Sequence, residues 1–88
     1  MTDRELYNVY CEMFKNARAF EERLRNALEK KGYNVYCVYM AVGDEETRKY
    51  FVDIEYSNGT AETYRHIRDN ITEDRLVQYI ENKERECA

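Results

Sequence analysis

The chain has 88 residues, of which 43% are hydrophobic and 36% are charged, and its formal net charge is −4. This length supports one domain, and a domain of this size buries only about 60–65% of its unfolded surface, so it depends on a well-packed core or on a partner. The acidic balance disfavours non-specific contact with phosphate backbones. We therefore expect no direct binding of nucleic acid, and a protein partner with a basic surface.

Residues 3–31 are predicted to form one long helix, with Thr2 as N-cap, Glu5 completing a capping box and Gly32 beyond the last turn. Apolar residues recur along it in a heptad pattern. These are Leu6, Tyr10, Met13, Ala17, Phe20, Leu24 and Ala27. At a rise of about 1.5 Å per residue the helix is roughly 43 Å long, whereas a compact chain of this size is only about 30 Å across. The helix must therefore bend, overhang the domain or meet a partner.

Two strands are predicted next, over residues 33–42 and 48–57. The first is rich in β-branched and aromatic residues and is apolar on both faces, with Cys37 expected to pack on the inner face as a small hydrophobic residue. The second alternates between apolar and charged residues. The side chains expected to face the core are Tyr50, Val52, Ile54 and Tyr56.

Asn58-Gly59 predicts a tight hairpin after the second strand. A two-residue type I′ turn there gives both residues positive φ and places Glu55 opposite Glu62. Residues 60–67 then return as a third strand. Their apolar spacing also fits a helix, but the hairpin needs a second strand, which favours the strand.

The last helix is predicted over residues 73–84, with Thr72 as N-cap. The sequence thus indicates a single α+β domain spanning residues 1–88, in the order α-β-β-β-α, with both helices packed on a three-stranded antiparallel meander. This order is similar to that of the double-stranded RNA-binding domain. That family holds phosphates with a basic cluster at the start of its last helix, where this chain has Thr72-Glu73-Asp74-Arg75, so the resemblance covers element order alone.

No catalytic, cofactor or metal motif is present, and we expect a protein that is not an enzyme. His66 is the only histidine and Ser57 the only serine, and neither lies in a recognisable nucleophile motif. The three glycines are explained by a helix cap and turns, so no phosphate-binding loop is predicted. The cysteines, Cys11, Cys37 and Cys87, form no CxxC pair, which favours reduced thiols, no metal site and a cytoplasmic location. No apolar stretch is long enough to suggest a membrane span.

Acidic and aromatic residues are the candidate binding residues. Asp44, Glu45 and Glu46 share one turn, and Asp53, Glu55 and Glu62 are expected on the outer face of the sheet. Such carboxylates either bind a basic surface or only keep a small protein soluble and its strand edges unpaired. Tyr36 and Phe51 are expected on faces that their neighbours do not bury, where they could anchor a contact.

In its size, its acidic charge and its lack of motifs, the chain resembles the anti-CRISPR class of phage and mobile-element proteins. The resemblance implies a non-enzymatic inhibitor whose acidic surface occupies a basic nucleic-acid channel of a host defence complex. The alternative is a self-assembling structural or regulatory adaptor that docks a partner through its long N-terminal helix.

The first strand lies at the edge of the predicted meander, where an apolar strand has to be covered or paired. Either the last helix covers Tyr36, Val38 and Met40, or a two-fold homodimer buries them together with the overhanging helix. We favour the homodimer.

Overall fold

The computed structural model of the chain describes residues 2–68 and 70–87, with side chains up to residue 83 in the last helix. The elements are α1 (Asp3–Lys30), β1 (Val35–Asp44), β2 (Lys49–Tyr56), β3 (Ala61–Arg68) and α2 (Glu73–Cys87). The strands form one antiparallel sheet in the order β1-β2-β3. The predicted α-β-β-β-α class is confirmed, and the segment before α2 is a strand rather than a helix.

Both helices pack on the same face of the sheet. Their apolar stripes recur every three or four residues, and the strands contribute alternate residues, so one layer of side chains fills the space between them. The buried core consists of Met13, Ala17, Phe20, Leu24, Leu28, Val35, Met40, Tyr50, Val52, Ile54, Tyr64, Leu76, Val77 and Ile80. Neither helix of the described residues lies on the opposite face of the sheet.

The first turns of α1 overhang this core. Met13 is the first buried residue of the helix, and before it Tyr7 and Tyr10 are 66% and 41% exposed. Arg48, in the turn between β1 and β2, contacts Glu12 at 3.2 Å, which marks the point where the sheet ends beneath the helix. The molecule is accordingly elongated, at 46 × 22 × 21 Å. Of the three arrangements considered for the long helix, the chain adopts the overhang.

Helix α1, rather than α2 or a second copy, covers the edge of β1 at Met40. The Met40 N–H donates to Glu21 Oε2 at 2.6 Å, and the Met40 carbonyl accepts from Arg18 Nη2 at 2.7 Å. The side chains of Arg18 and Glu21 also form an ion pair with each other, at 2.9 Å. The expectation that α2 or a homodimer buries Tyr36, Val38 and Met40 together is therefore wrong for Met40, and Tyr36 is 66% exposed.

We expect Glu21→Ala to destabilise the fold by about 1–3 kcal/mol, because it leaves the part-buried Met40 N–H without its acceptor. Glu21→Gln keeps a neutral acceptor at the same place and should cost less. Urea denaturation of both variants measures the difference. Equal losses for the two substitutions would contradict a stabilising role for this hydrogen bond.

The hairpin between β2 and β3 has a three-residue loop instead of the predicted two-residue turn. Gly59 has a φ of 90°, as predicted, but among the described residues other than glycine only Arg48 and His66 have positive φ, so the prediction for Asn58 is wrong. The Gly59 N–H donates to the Tyr56 carbonyl at 3.0 Å, and the Tyr56 N–H donates to the Thr60 carbonyl at 2.8 Å. These bonds define a type I turn followed by a glycine in the left-handed region.

The extra loop residue moves the register of β3 by one position. Glu62 therefore lies opposite Ile54 instead of Glu55, and Thr63 lies opposite Asp53. A bulge near His66, whose φ is 61°, then shifts the register back by one position. Beyond it Ile67 pairs with Tyr50, as the two-residue turn would have placed it.

Gly59→Val should destabilise the protein by about 2 kcal/mol, because a β-branched residue is strained at this φ. No atom lies within 4 Å of the position that a Cβ would occupy, so the loss reports backbone strain rather than a clash. Gly59→Asn is the matched control, since asparagine tolerates the left-handed region. If thermal unfolding gave the asparagine variant a melting temperature as low as that of the valine variant, the positive φ at Gly59 would be contradicted.

Candidate functional site

The face of the sheet opposite the helices is exposed over all three strands. Tyr39 is 51% and Phe51 is 36% exposed on it. The strand register places nine side chains there: Cys37, Tyr39, Ala41, Phe51, Asp53, Glu55, Ala61, Thr63 and Arg65. We call this set the open face. A contiguous exposed surface that contains large aromatic side chains marks a candidate interaction site.

Arginine side chains lie over the aromatic rings of this region. The Arg18 guanidinium lies 4.9 Å from the ring centre of Phe14 and 5.2 Å from that of Tyr39. Arg65 lies 5.5 Å from the ring centre of Phe51. These cation–π contacts hold the rings in place and extend the aromatic surface from α1 across β1 to β2.

Gly43 provides the space in which the Phe51 ring lies. A Cβ built on Gly43 would stand 3.3 Å from Cζ of that ring, closer than most such contacts. Sequence reasoning assigned Gly43 only to a turn. In the structure its missing side chain allows Phe51 to lie across the backbone of β1.

The carboxylates of the open face have partners on neighbouring strands. Asp53 accepts a hydrogen bond from Thr63 Oγ1 at 2.7 Å, and Glu55 accepts one from Cys37 Sγ at 3.6 Å. Burial raises the pKa of the Cys37 thiol, and the bond to Glu55 raises it further, so this cysteine is a poor nucleophile near neutral pH. The prediction that Cys37 packs on the inner face is wrong, because a register shift after Val35 places it opposite Glu55.

The acidic turn shapes the backbone at the other end of β2. Asp44 Oδ1 accepts from the backbone N–H groups of Glu46 and Thr47, at 3.0 and 3.5 Å. Hydrogen bonding to Thr47 lowers the pKa of Asp44. Glu45 is half-buried and Glu46 exposed. This turn is thus separated from Asp53 and Glu55 along the strand, and Asp44 has a structural role in forming it.

Glu62 does not join the open face. Because of the shifted register it lies opposite the buried Ile54, where it accepts a hydrogen bond from the Tyr64 hydroxyl. Burial and this bond raise the pKa of Tyr64. The predicted outer pairing of Glu62 with Glu55 is therefore wrong. Tyr36, the remaining candidate, is exposed beside the register shift in β1.

The described residues contain no group of three or more His, Cys, Asp and Glu side chains placed to hold a metal ion. Among them, no helix is both long and apolar enough to cross a membrane. Cys11 and Cys37 are free thiols, whereas the side chain of Cys87 lies outside the described residues. His66 is exposed at the bulge of β3.

A basic cluster between β3 and α2 was not anticipated from the sequence. It includes Arg65, Arg75 and Lys83, which line one groove together with Tyr79. The spacing of Arg75, Tyr79 and Lys83 by four residues is a sequence signal that places them on one face of a helix. The net charge of the whole chain concealed this local excess of cations.

The chain matches no protein-family model, no curated protein and no solved structure. Its function is therefore inferred from its surfaces.

Proposed function

We propose that this protein is a non-enzymatic binding protein whose open face contacts another protein. The observation that supports this proposal is that one whole face of the sheet carries exposed aromatic side chains with no covering element of the described chain. Tyrosine and phenylalanine are enriched at protein interfaces, where a rigid ring contributes much contact area at little entropic cost. The cation–π contacts of Tyr39 and Phe51 already hold both rings in defined positions.

The carboxylates of the open face favour a basic protein over nucleic acid, while the cations next to the rings, Arg18 and Arg65, are engaged in cation–π contacts. Asp53 and Glu55 stand on the same face and would repel phosphates, whereas they attract lysine and arginine side chains. The expected inhibitor of a nucleic-acid-binding defence complex is one case of such a partner. Because the acidic turn lies apart from Asp53 and Glu55, we propose that contact depends on the aromatic rings as well as on charge.

Affinity capture from the native host, followed by titration of the captured partner, tests the proposal. Tyr39→Ala combined with Phe51→Ala should weaken binding at least about tenfold, as expected for aromatic residues at the centre of an interface. Glu55→Lys should weaken binding of the partner most at low salt, where charges are least screened. Tyr7→Ala is the matched control, because this ring is 66% exposed on the overhanging start of α1 and lies outside the open face. A folded double variant that binds like the original protein would refute the proposal.

The overhang of α1 supports a second candidate function, self-association or docking through this helix. It exposes Tyr7, Tyr10 and, at its base, Phe14, which is 48% exposed. In an antiparallel pair of α1 helices centred on Tyr10, residues equidistant from the centre and on the same helix face meet, so Leu6 would face Phe14. Sedimentation equilibrium should then show a dimer that Tyr7→Glu combined with Tyr10→Glu dissociates. A monomer mass at micromolar protein concentration would exclude the homodimer.

A further inference from the structure

A groove with a basic lining runs between β3 and α2. Its volume is about 530 Å³. The residues that line it include Arg65, Arg68, Arg75, Tyr79 and Lys83, and no described carboxylate lines it. We call it the basic groove. In a chain with a net charge of −4, this local concentration of cations requires an explanation.

The explanation is a separation of charge between the two sides of α2. On the side towards α1, Glu73 pairs with Arg23 at 3.5 Å and Glu81 pairs with Lys31 at 3.8 Å. Two carboxylates of the helix are thus paired with cations of α1. Its own cations, Arg75 and Lys83, both line the groove, and Arg75 also borders the cleft between α1 and α2.

These cations have no ionic partner among the described residues. The ion pairs there involve neither Arg65, Arg68, Arg75 nor Lys83. Arg65 and Lys83 instead lie over the rings of Phe51 and Tyr64, at 5.5 and 5.1 Å. Asp69, in the connection between β3 and α2, lies outside the described residues. Among the described residues, the charged side chains that line the groove are therefore all positive.

The free edge of β3 runs along this groove. In the sheet β3 has β2 as its neighbour, and no strand formed by the described residues lies beyond it. Met40 directs its backbone groups away from β2, so its partner Val52 directs its own groups towards Tyr64 of β3. Backbone direction alternates along an antiparallel strand, so Thr63 and Arg65 present their N–H and carbonyl groups at the free edge.

We propose that an extended, carboxylate-rich peptide segment binds here, adding to β3 as a fourth strand with the acidic side chains of one face against Arg75 and Lys83. Strand addition uses the backbone groups of Thr63 and Arg65 for affinity and the groove for side-chain selection. Tyr79, which is 57% exposed, lies between Arg75 and Lys83 on the same face of α2 and supplies an apolar surface for the methylene groups of the acidic side chains. A nucleic acid could pair its phosphates with the cations, but it could not form strand hydrogen bonds with the free edge of β3. We therefore favour a peptide.

Fluorescence anisotropy with a labelled peptide of alternating glutamate and valine tests this inference. We expect binding that weakens as salt rises, and at least about a tenfold loss in the double variant Arg75→Glu, Lys83→Glu. The variant Arg4→Glu, Lys15→Glu has the same net charge, changed on exposed sites of α1 remote from the groove, and should bind nearly as well as the original protein. Thermal unfolding verifies that each variant is folded.

Amide hydrogen exchange separates strand addition from simple charge attraction. With peptide bound, the amides of Thr63 and Arg65 should exchange more slowly, whereas an oligothymidylate probe should leave them unchanged. Three results would overturn the proposal: no binding of the acidic peptide, equal binding by both charge variants, or binding without added protection at these amides. Tight binding of oligothymidylate in place of the peptide would assign the groove to nucleic acid instead.

Discussion

Ala17→Pro should destabilise the protein by about 3 kcal/mol or more, the largest effect that we expect from one substitution in α1. Ala17 lies near the middle of the helix, is 1% exposed and packs against the core. Proline there removes the backbone hydrogen bond to Met13 and places its ring against that carbonyl. The kink would also move Arg18 and Glu21 away from Met40, so the edge of β1 would lose its cover.

Ala17→Gly is the control for this substitution. Glycine leaves the hydrogen bond in place and costs about 1 kcal/mol through backbone entropy. Urea denaturation with circular dichroism should rank the two variants clearly apart. If the proline variant were as stable as the glycine variant, α1 would not be continuous at this point.

The local features of the fold were predictable from the sequence because they depend on residues close together in the chain. Thr2 accepts a hydrogen bond from the Glu5 N–H at 3.2 Å, as the capping box requires. Thr72 likewise accepts from the Arg75 N–H, at 3.3 Å. The heptad stripe of α1 and the alternation of β2 identified half of the buried core for the same reason.

The register of the sheet was not predictable in the same way. Asn58-Gly59 fits both a two-residue and a three-residue hairpin, and the choice between them moves β3 by one position. The register shifts after Val35 and near His66 also move the following side chains to the other face of the sheet, and no residue pattern indicated these shifts. The errors at Cys37 and Glu62 both follow from these shifts.

The surfaces now proposed as sites depend on contacts between distant parts of the chain. Arg18 reaches both Met40 and Tyr39 across more than twenty positions of sequence, and nothing near it indicates either contact. The basic groove forms because α1 neutralises Glu73 and Glu81 and leaves Arg75 and Lys83 without ionic partners in the described chain. Neither the contacts of Arg18 nor the basic groove can be read from composition or residue spacing, since both form only when the helices pack on the sheet.

A comparison of neighbouring residues on β2 tests which face of the sheet is buried. Ile54→Ala should destabilise the protein by about 2–5 kcal/mol, because Ile54 is fully buried and its truncation leaves a cavity between the sheet and the helices. Glu55→Ala, one position later, removes an exposed side chain with a weak thiol contact and should change stability by about 0.5 kcal/mol or less.

Denaturant unfolding at low protein concentration measures both changes on the same strand, with the same local backbone. A large loss for Ile54→Ala alone is expected of a sheet with one buried face, and it leaves the open face available for a partner. Similar losses for both substitutions would mean that Glu55 is also buried in solution, either by a second copy or by another part of the chain. In that event the open face would be an internal contact, and binding of a separate protein partner there would have to be abandoned.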